Sequence, residues 1–416
     1  MKKTILAIGI TIFFISMSFN SISGIQIENK PINPTSRGNT LYVGGNGSGN
    51  YSKIQDAIDN ASDGDTVFVY NGIYDLDDII FINISIKLLG ENKYNTILSK
   101  NGVIINASEV EIRGFTFQNC IAISTMPFFE DNIISGNIFK VEEYNLGLGG
   151  IIIFSNYSII SNNSFLNCSI IVFSYHNSIY NNTVNGKALV YFESVSDEVI
   201  DDAGQVILIG CNNITIENLE VFNTFLGIEL IDTVNCLISD NDFSNNAILG
   251  FLFNSSNNMI SSNIFSNNEF GLIFGYCEGN KISRNYFKNN GFSLFFIESS
   301  NNHLSYNNFK YNYRSLNRNI LSTKSDNTWF GNFWNRPRLL PVVLWNYKLT
   351  PHRHIPILPY SPDVDWHPAK KLNDITNIDE FNLDENTYSI YQTSNVLFFS
   401  FLERYPLLIK LLCPLK

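Results

Sequence analysis

Four stretches, Leu237-Ile-Ser-Asp-Asn-Asp-Phe243, Met259-Ile-Ser-Ser-Asn-Ile-Phe265, Lys281-Ile-Ser-Arg-Asn-Tyr-Phe287 and His303-Leu-Ser-Tyr-Asn-Asn-Phe309, align without a gap, and every column steps by 22 residues. One column is aliphatic (Ile238, Ile260, Ile282, Leu304), one is Asn241, Asn263, Asn285 and Asn307, and one is Phe243, Phe265, Phe287 and Phe309. A further asparagine column follows three residues after each Phe, at Asn246, Asn268, Asn290 and Asn312. Upstream the phase returns as Ile112 with Phe117, Ile134 with Phe139 and Ile160 with Phe165, so the repeat occupies most of the chain. A period of this length marks a solenoid, and two kinds compete at it, the leucine-rich repeat and the parallel β-helix. The first needs an L-x-x-L-x-L strand and then room for a helix. Each unit here carries instead two or three short runs of Ile, Phe, Val and Tyr, such as Gly271-Leu-Ile-Phe274, separated by Asn, Ser and Gly. That content predicts stacked coils of short strands and tight corners. Stacking sets like residues above one another at about 4.8 Å. The Asn column is then expected at a corner, where Asn tolerates left-handed backbone and its amide can bond its equivalent one coil away. The Phe column is expected to stack inward as core.

Composition fits this reading. Charged residues are only 16% of the 416, with a net charge of -11, while hydrophobic residues reach 44%. The missing polarity is asparagine, 59 residues in all. Ample apolar content excludes a disordered chain. The acidic balance excludes nucleic acid and anionic membrane surfaces as partners, since both demand clustered Lys and Arg.

The N-terminus reads Met1-Lys2-Lys3, then an apolar run from Ile5 to Phe19, then Ser21-Ile22-Ser23-Gly24. This is the pattern of a secretion signal, and about fifteen apolar residues fall short of the ~20 that span a bilayer. The expected organisation is a signal peptide (1–24), a linker (25–39), an N-terminal cap with the first coil (40–75), β-helix repeats (76–326) broken by an insertion (186–210), an aromatic C-terminal cap (327–370) and a tail (371–416). The mature chain is expected to be secreted, at the cell surface or otherwise outside the cytoplasm, without a transmembrane span. Sequons such as Asn83, Asn106 and Asn254 agree with export but arise by chance in so Asn-rich a chain.

Three blocks carry a family resemblance. They are the entry segment Thr40-Leu-Tyr-Val-Gly-Gly with Tyr51 to Ala61, Asp63 to Val69 and Asn71-Gly-Ile-Tyr74; the repeat itself; and the exit Asn327-Thr-Trp-Phe-Gly-Asn-Phe-Trp334 with Asp365-Trp-His-Pro-Ala369. Together, over roughly residues 40 to 370, they resemble the right-handed parallel β-helix of the pectin-lyase-like superfamily. More narrowly, they are similar to the Asn-rich repeats shared by carbohydrate-binding and sugar-hydrolysis β-helices and by the periplasmic copper-accessory NosD family. The resemblance implies an all-β fold, a single-stranded right-handed parallel β-helix of about a dozen coils. It specifies function far less than fold.

A solenoid exposes strand edges at both ends and must be capped. Ser52-Lys-Ile-Gln55 reads as a capping box opening a short helix with an apolar stripe of Ile54, Ala57, Ile58 and Ala61. At the other end Trp329, Trp334, Trp345 and Trp366 cluster among prolines. They read first as a cap and alternatively as a sugar-stacking platform.

Chemistry has few places to sit. The insertion concentrates Glu193, Asp197, Glu198, Asp201 and Asp202. Glu193, Asp197, Asp201 and Asp202 are the candidates for acid/base hydrolysis or lyase chemistry, and Asp201 with Asp202 for a Ca²⁺ site, set against a solvated loop. Polygalacturonase-like enzymes carry Asn-x-Asp, Asp-Asp, Gly-His-Gly and Arg-x-Lys on successive coils. Only Asp201-Asp202 matches here, and the Arg-x-Pro-x-x-Arg of pectate lyases is missing. Copper is disfavoured because soft sites want Met and Cys, and after signal removal only Met126 and Met259 remain. His352-Arg-His354 is the one His-x-His and the remaining metal candidate. No cofactor is therefore expected, with Ca²⁺ the one ion held open. Cys120, Cys168, Cys211, Cys236, Cys277 and Cys413 are expected as thiols; Cys120 and Cys168 lie about two coils apart, too far to bridge. The tail segment Leu397 to Leu412 is apolar, with Glu403, Arg404 and Lys410 interrupting it, and is expected to dock as an amphipathic segment. The partner expected for the extended repetitive face is a polysaccharide or another envelope component, with catalysis on one as the alternative.

Overall fold

A computed structural model describes residues 38–119, 121–142, 149–312, 320–323, 326–335, 340–344, 363–373 and 375. Residues 1–24, Cys120, Trp345, His352, His354, Cys413 and the segment Leu397 to Leu412 lie outside the described residues. The chain is an all-β solenoid of about twelve turns and falls into two units, 1–186 and 187–416.

In the first unit the strands stack into three parallel sheets, of seven strands from Thr40–Val43 to Ser178–Tyr180, five from Ile80–Ile82 to Ser169–Val172, and six from Gly72–Asp75 to Thr183–Val184. The step between stacked positions varies: Glu111 pairs with Ile133, Ile133 with Ile159 and Ile159 with Ser178, which are steps of 22, 26 and 19 residues. The inward columns stay in register despite the varying loops. Ile112, Ile134 and Ile160 are buried one above another, and Phe117, Phe139 and Phe165 stack at 5.1 and 4.8 Å. The one helix among the described residues, Ile54–Asp59 (α1), buries Ile54, Ala57 and Ile58. Its capping differs from expectation: the N-cap is Lys53, with no side-chain cap bond. Gln55 instead donates to the Phe81 carbonyl and accepts from its N–H, so the side chain that would close a capping box ties α1 to the next coil.

The second unit keeps the 22-residue step strictly. Ile238, Ile260, Ile282 and Leu304 pair in one sheet, Phe243, Phe265, Phe287 and Phe309 in a second, and Leu230, Leu252, Phe274 and Phe296 in a third. All face one continuous core. Phe265, Phe287 and Phe309 stack at 4.8 and 4.9 Å, and Trp334 extends the stack at 4.7 Å.

Asparagine serves the corners in two separate ways. In pairs such as Asn267-Asn268 and Asn289-Asn290 the first residue takes the left-handed conformation, at φ 54° for Asn289, and the second points inward and is buried. Left-handed residues recur at four corners per coil, for example Asp232, Asn235, Asp240 and Asn245. The ladder residue is the next one along. Asn285 Oδ1 accepts from the Asn263 backbone N–H and side-chain Nδ2, both at 3.0 Å, while its own Nδ2 donates to the Ile260 carbonyl at 2.8 Å and to Asn307 Oδ1 at 3.0 Å. The repeat therefore corrects the single-residue picture of the corner: one side chain cannot both take the exposed left-handed turn and point into the core. Two further columns complete the set, Asn258, Asn280, Asn302 and Asn327, and the hydroxyls of Thr233, Ser255 and Ser299.

The break at 186–210 is a shortening, which corrects the expected insertion. Leu189 pairs with Gln205, Ser196 with Asn212 and Val199 with Thr215, each a step of 16. In the following coil Glu220–Phe222 lies between Thr215–Glu217 and Leu226–Ile231; the short coil has no strand in that place. At the far end, Val342–Leu344 runs antiparallel to Asp363–Asp365. The Asn ladder ends on a carboxylate: Asp365 Oδ2 accepts from the Asn332 N–H, Asn332 Nδ2 and Trp334 Nε1 at 3.0 to 3.2 Å.

Candidate functional site

The candidate acidic residues of 193–202 engage separate partners. Glu193 Oε2 accepts from the Tyr191 hydroxyl at 2.6 Å, Asp197 Oδ1 from Asn213 Nδ2 at 2.7 Å, and Asp202 lies 3.4 Å from the Lys187 ammonium. Asp197, Glu198, Asp201 and Asp202 are exposed. Each bonded carboxylate has its own partner, and among the described residues no group of three or more His, Cys, Asp or Glu is placed to hold a metal ion. The sugar-stacking expectation is corrected for two of the tryptophans. Trp329 and Trp334 are core residues, 5% and 0% exposed, with their indole N–H groups bonded to Asp363 and Asp365. No ring face is left for a ligand. Trp366 stays available at 66% exposure.

What the structure does present is a sheet face. Thr215–Glu217, Leu237–Ser239, Met259–Ser261, Lys281–Ser283, His303–Ser305 and Thr328–Phe330 pair in parallel, with their central residues inward. Alternation turns the flanking residues outward. One outward row is Leu237, Met259, Lys281, His303 and Thr328, of which the last four are exposed. The adjoining corner column is Asp240, Ser262, Arg284 and Tyr306, all left-handed. At the far end the Tyr306 ring meets Phe330 edge-on at 5.6 Å, and Phe330 meets the His367 imidazole at 5.2 Å. Tyr306 is 43% and Phe330 40% exposed. Gly331, at φ 65°, makes the arrangement feasible: a Cβ there would lie 2.9 Å from the Tyr306 ring. His303 Nδ1 is 2.7 Å from the Thr328 hydroxyl. Lys281, Arg284, His303 and His367 thus collect basic groups beside exposed rings in a chain that is acidic overall.

A second outward face carries two carboxylates that sequence reasoning missed. Glu220 and Asp242 pair in register on neighbouring coils. Burial, and then the charge of Glu220, push the Asp242 carboxyl above its ordinary range, and its Oδ1 is buried with no hydrogen-bond partner. Their 22-residue spacing was the available signal; nothing in the sequence said that both faced outward. Glu269, three residues before Leu272 in the same coil array, is the other acid raised among the described residues: burial alone takes it from 4.5 to about 7. Between those pH values the folded protein holds a proton that the unfolded chain has released, so stability falls as pH rises through the window. Urea midpoints measured from about pH 4.5 to 8 are expected to decline across it, and Glu269→Gln to flatten the decline; an unchanged slope in the variant refutes the assignment.

Cys168, Cys211, Cys236 and Cys277 are buried and form no disulfide. Burial pushes Cys236 up to about 11 and Cys277 to about 12, away from the thiolate that a soft metal needs. Met259 stands on the open face without a Cys or second Met in its row. The described donors do not fit copper.

Fold and core together define a parallel β-helix, an all-β solenoid. Within it, the family model described as "Periplasmic copper-binding protein (NosD)" matches residues 193–339. No curated protein matches the chain. Among solved structures, the chain is similar to the A-modules of two Azotobacter vinelandii mannuronan C-5 epimerases. With AlgE6 the identity is 13%, over 66% of this chain and 94% of that one, at a TM-score of 0.30; with AlgE4 it is 14%, over 67% and 89%, at 0.31. The pectate lyase Pel9A is 13% identical over 72% and 76%, at 0.18. These likenesses are too distant to bear on activity.

Proposed function

We propose that this protein is exported and binds a polysaccharide, or a sugar-bearing component of the cell envelope, on the open face that ends in Tyr306, Phe330 and His367. The observation that carries the reading is that exposed ring row, with Trp366 beside His367, on a flat face supplied with Lys281 and Arg284. Rings offer a rigid apolar surface for the faces of sugar rings at little entropic cost, and the cations suit acidic sugars. The coil spacing of about 4.8 Å repeats the same side-chain directions along the face, which suits a repetitive polymer. A periplasmic family description over 193–339 supports an extracytoplasmic setting, as does the N-terminal sequence.

The test is a glycan array run with acidic and neutral polysaccharides. Binding is expected, and it should weaken about tenfold or more in Tyr306→Ala and Phe330→Ala, the loss of an aromatic anchor being worth about 1–2 kcal/mol or more. No binding to any glycan, or binding indifferent to both variants, overturns the reading.

One observation favours hydrolysis as a second reading. Glu220 and Asp242 stand one coil apart, with Asp242 held toward its protonated form, the relation an acid and its partner carboxylate need. Release of reducing ends in the same polysaccharide panel, lost in Asp242→Asn, would support it; a silent panel excludes it.

A further inference from the structure

The edge where two sheets of the second unit meet can be followed coil by coil. Strands from Thr215–Glu217 to His303–Ser305 lie on one side of it and strands from Glu220–Phe222 to Asn308–Lys310 on the other, each stack in register over five coils. The left-handed corner residues Asn218, Asp240, Ser262, Arg284 and Tyr306 join them. On this edge the first two coils carry Glu217, Glu220, Asp240 and Asp242 and no cation. The third, from 259 to 266, carries no charge, and the last two carry Lys281, Arg284, Lys288 and Lys310, with His303, and no carboxylate. Glu220, Asp240, Lys281 and Arg284 are exposed and the other four half-buried. A surface that only has to stay solvated intersperses its signs, because like charges placed side by side on neighbouring strands repel. Here the signs are sorted, with Glu220 paired to Asp242 and Lys288 to Lys310. Within the chain the two groups stay apart: Asp240 and Arg284 stand two coils, about 9.6 Å, from one another. Among the described residues none of the eight forms an ion pair, and Asp242 Oδ1 is buried with no hydrogen-bond partner.

We propose that this edge is where a second copy of the chain docks, antiparallel, about a two-fold axis that runs along the strands of the uncharged coil. The order of charges selects that occupant. Two acidic coils, one neutral coil and two basic coils, with four carboxylates against four cations, form a pattern that a half-turn about its centre converts into its own complement. An isologous interface needs that self-complementarity. The operation sets the coil of Asp240 and Asp242 against the coil of Lys281, Arg284 and Lys288 in the other copy, and the coil of Glu217 and Glu220 against that of His303 and Lys310. It keeps each residue column opposite itself, so Asp240 meets Arg284 of the partner subunit, both being exposed corner residues of one column. Lys288 and Lys310 stand one row over from the acidic column, a distance their four-carbon stems span. On the axis Ser262 meets Ser262 of the partner subunit. The patch is about 19 Å along the coils and about 26 Å across them, roughly 500 Å² a copy, against the ~800 Å² of a stable interface. The association is therefore weak, and salt governs it. Phe330 lies one coil beyond the matched set, and Tyr306 stands at its margin. The pairing is independent of glycan binding and is measured without any sugar.

Sedimentation velocity of the full chain over a range of concentrations, at about 50 mM and about 500 mM salt, is the experiment. A monomer–dimer equilibrium with a dissociation constant on the order of micromolar is expected at low salt, weakened about tenfold or more at high salt. Arg284→Glu and Asp240→Arg should each weaken it about tenfold or more, since each sets like charges face to face at both ends of the interface. The double variant, which exchanges the signs, should recover to within about threefold of the unaltered chain, and that recovery separates pairing from a folding defect. Mild oxidation of Ser262→Cys should give a covalent dimer. Asn218→Cys, whose two copies would lie about 19 Å apart, should give none beyond the unaltered chain. A monomer at every concentration, a dimer indifferent to salt and to both single variants, or a double variant no better than the singles overturns the proposal. So do assemblies that keep growing with concentration, the mark of a head-to-tail contact.

Discussion

Replacing Asn285 by leucine is expected to cost about 3–5 kcal/mol, although the two side chains have the same number of heavy atoms and the same branching. Asn285 is fully buried, and all of its polar groups are engaged. Leucine removes the acceptor of the Asn263 backbone N–H and the donor to the Ile260 carbonyl, leaving groups that lie inside the stack and cannot recruit water. Each such orphan costs about 1–3 kcal/mol, far more than a hydrogen bond contributes when both partners can return to solvent. Asn285→Asp keeps the acceptor but loses both donations and brings a charge into the core, so it should be at least as damaging. The control lies one corner away. Asn289 is left-handed and only partly buried, with one long side-chain bond of 3.3 Å to Asn267. Glycine accepts that backbone conformation without a Cβ penalty, so Asn289→Gly should shift stability by less than about 1 kcal/mol. Urea denaturation of the three variants decides the matter; equal losses at 285 and 289 would refute the division of labour between ladder and corner asparagines.

Phe287→Ala is the second large effect, expected at about 4–5 kcal/mol. The ring is 0% exposed and sits between Phe265 and Phe309 at 4.8 and 4.9 Å, the latter pair tilted by only 11°. Truncation loses the transfer free energy and leaves a cavity that the flanking rings cannot fill, because their own coils fix them at the strand spacing. A solenoid is held by contacts between neighbours, so the loss falls on two coil interfaces at once. The variant is expected to unfold in a broader transition, with a lower denaturant slope, as the coils on either side lose their coupling. Phe287→Leu, which keeps most of the volume, should cost less than half as much. A Phe287→Ala protein with an unchanged midpoint would mean that the stack contributes little.

The fold was legible because a solenoid writes its tertiary contacts into sequence as a period. A residue that touches its equivalent 22 positions on must be chemically compatible with it, and the Ile, Asn and Phe columns say so without any coordinates. The capping box was misread because Gln55 has a better use in bonding the Phe81 backbone on the next coil, which no local motif records. The acidic segment was misread as an insertion because loss of a strand and gain of a loop both break the beat; only the 16-residue pairing of Leu189 with Gln205 tells them apart. The sugar-stacking alternative to the cap fails for Trp329 and Trp334, and sequence could not exclude it because it gives the residue type but not the side of the strand. Their indoles turn inward onto Asp363 and Asp365, residues some thirty positions away.

The sequence by itself determined the coil length, the identity of the core columns and the use of asparagine in place of charge, since these follow from stacking identical units at a fixed spacing. Only the tertiary structure decided which face is open, which is covered, and that ladder and corner fall on adjacent residues. Those properties depend on the direction of each side chain and on what lies beyond the coil, and neither is periodic.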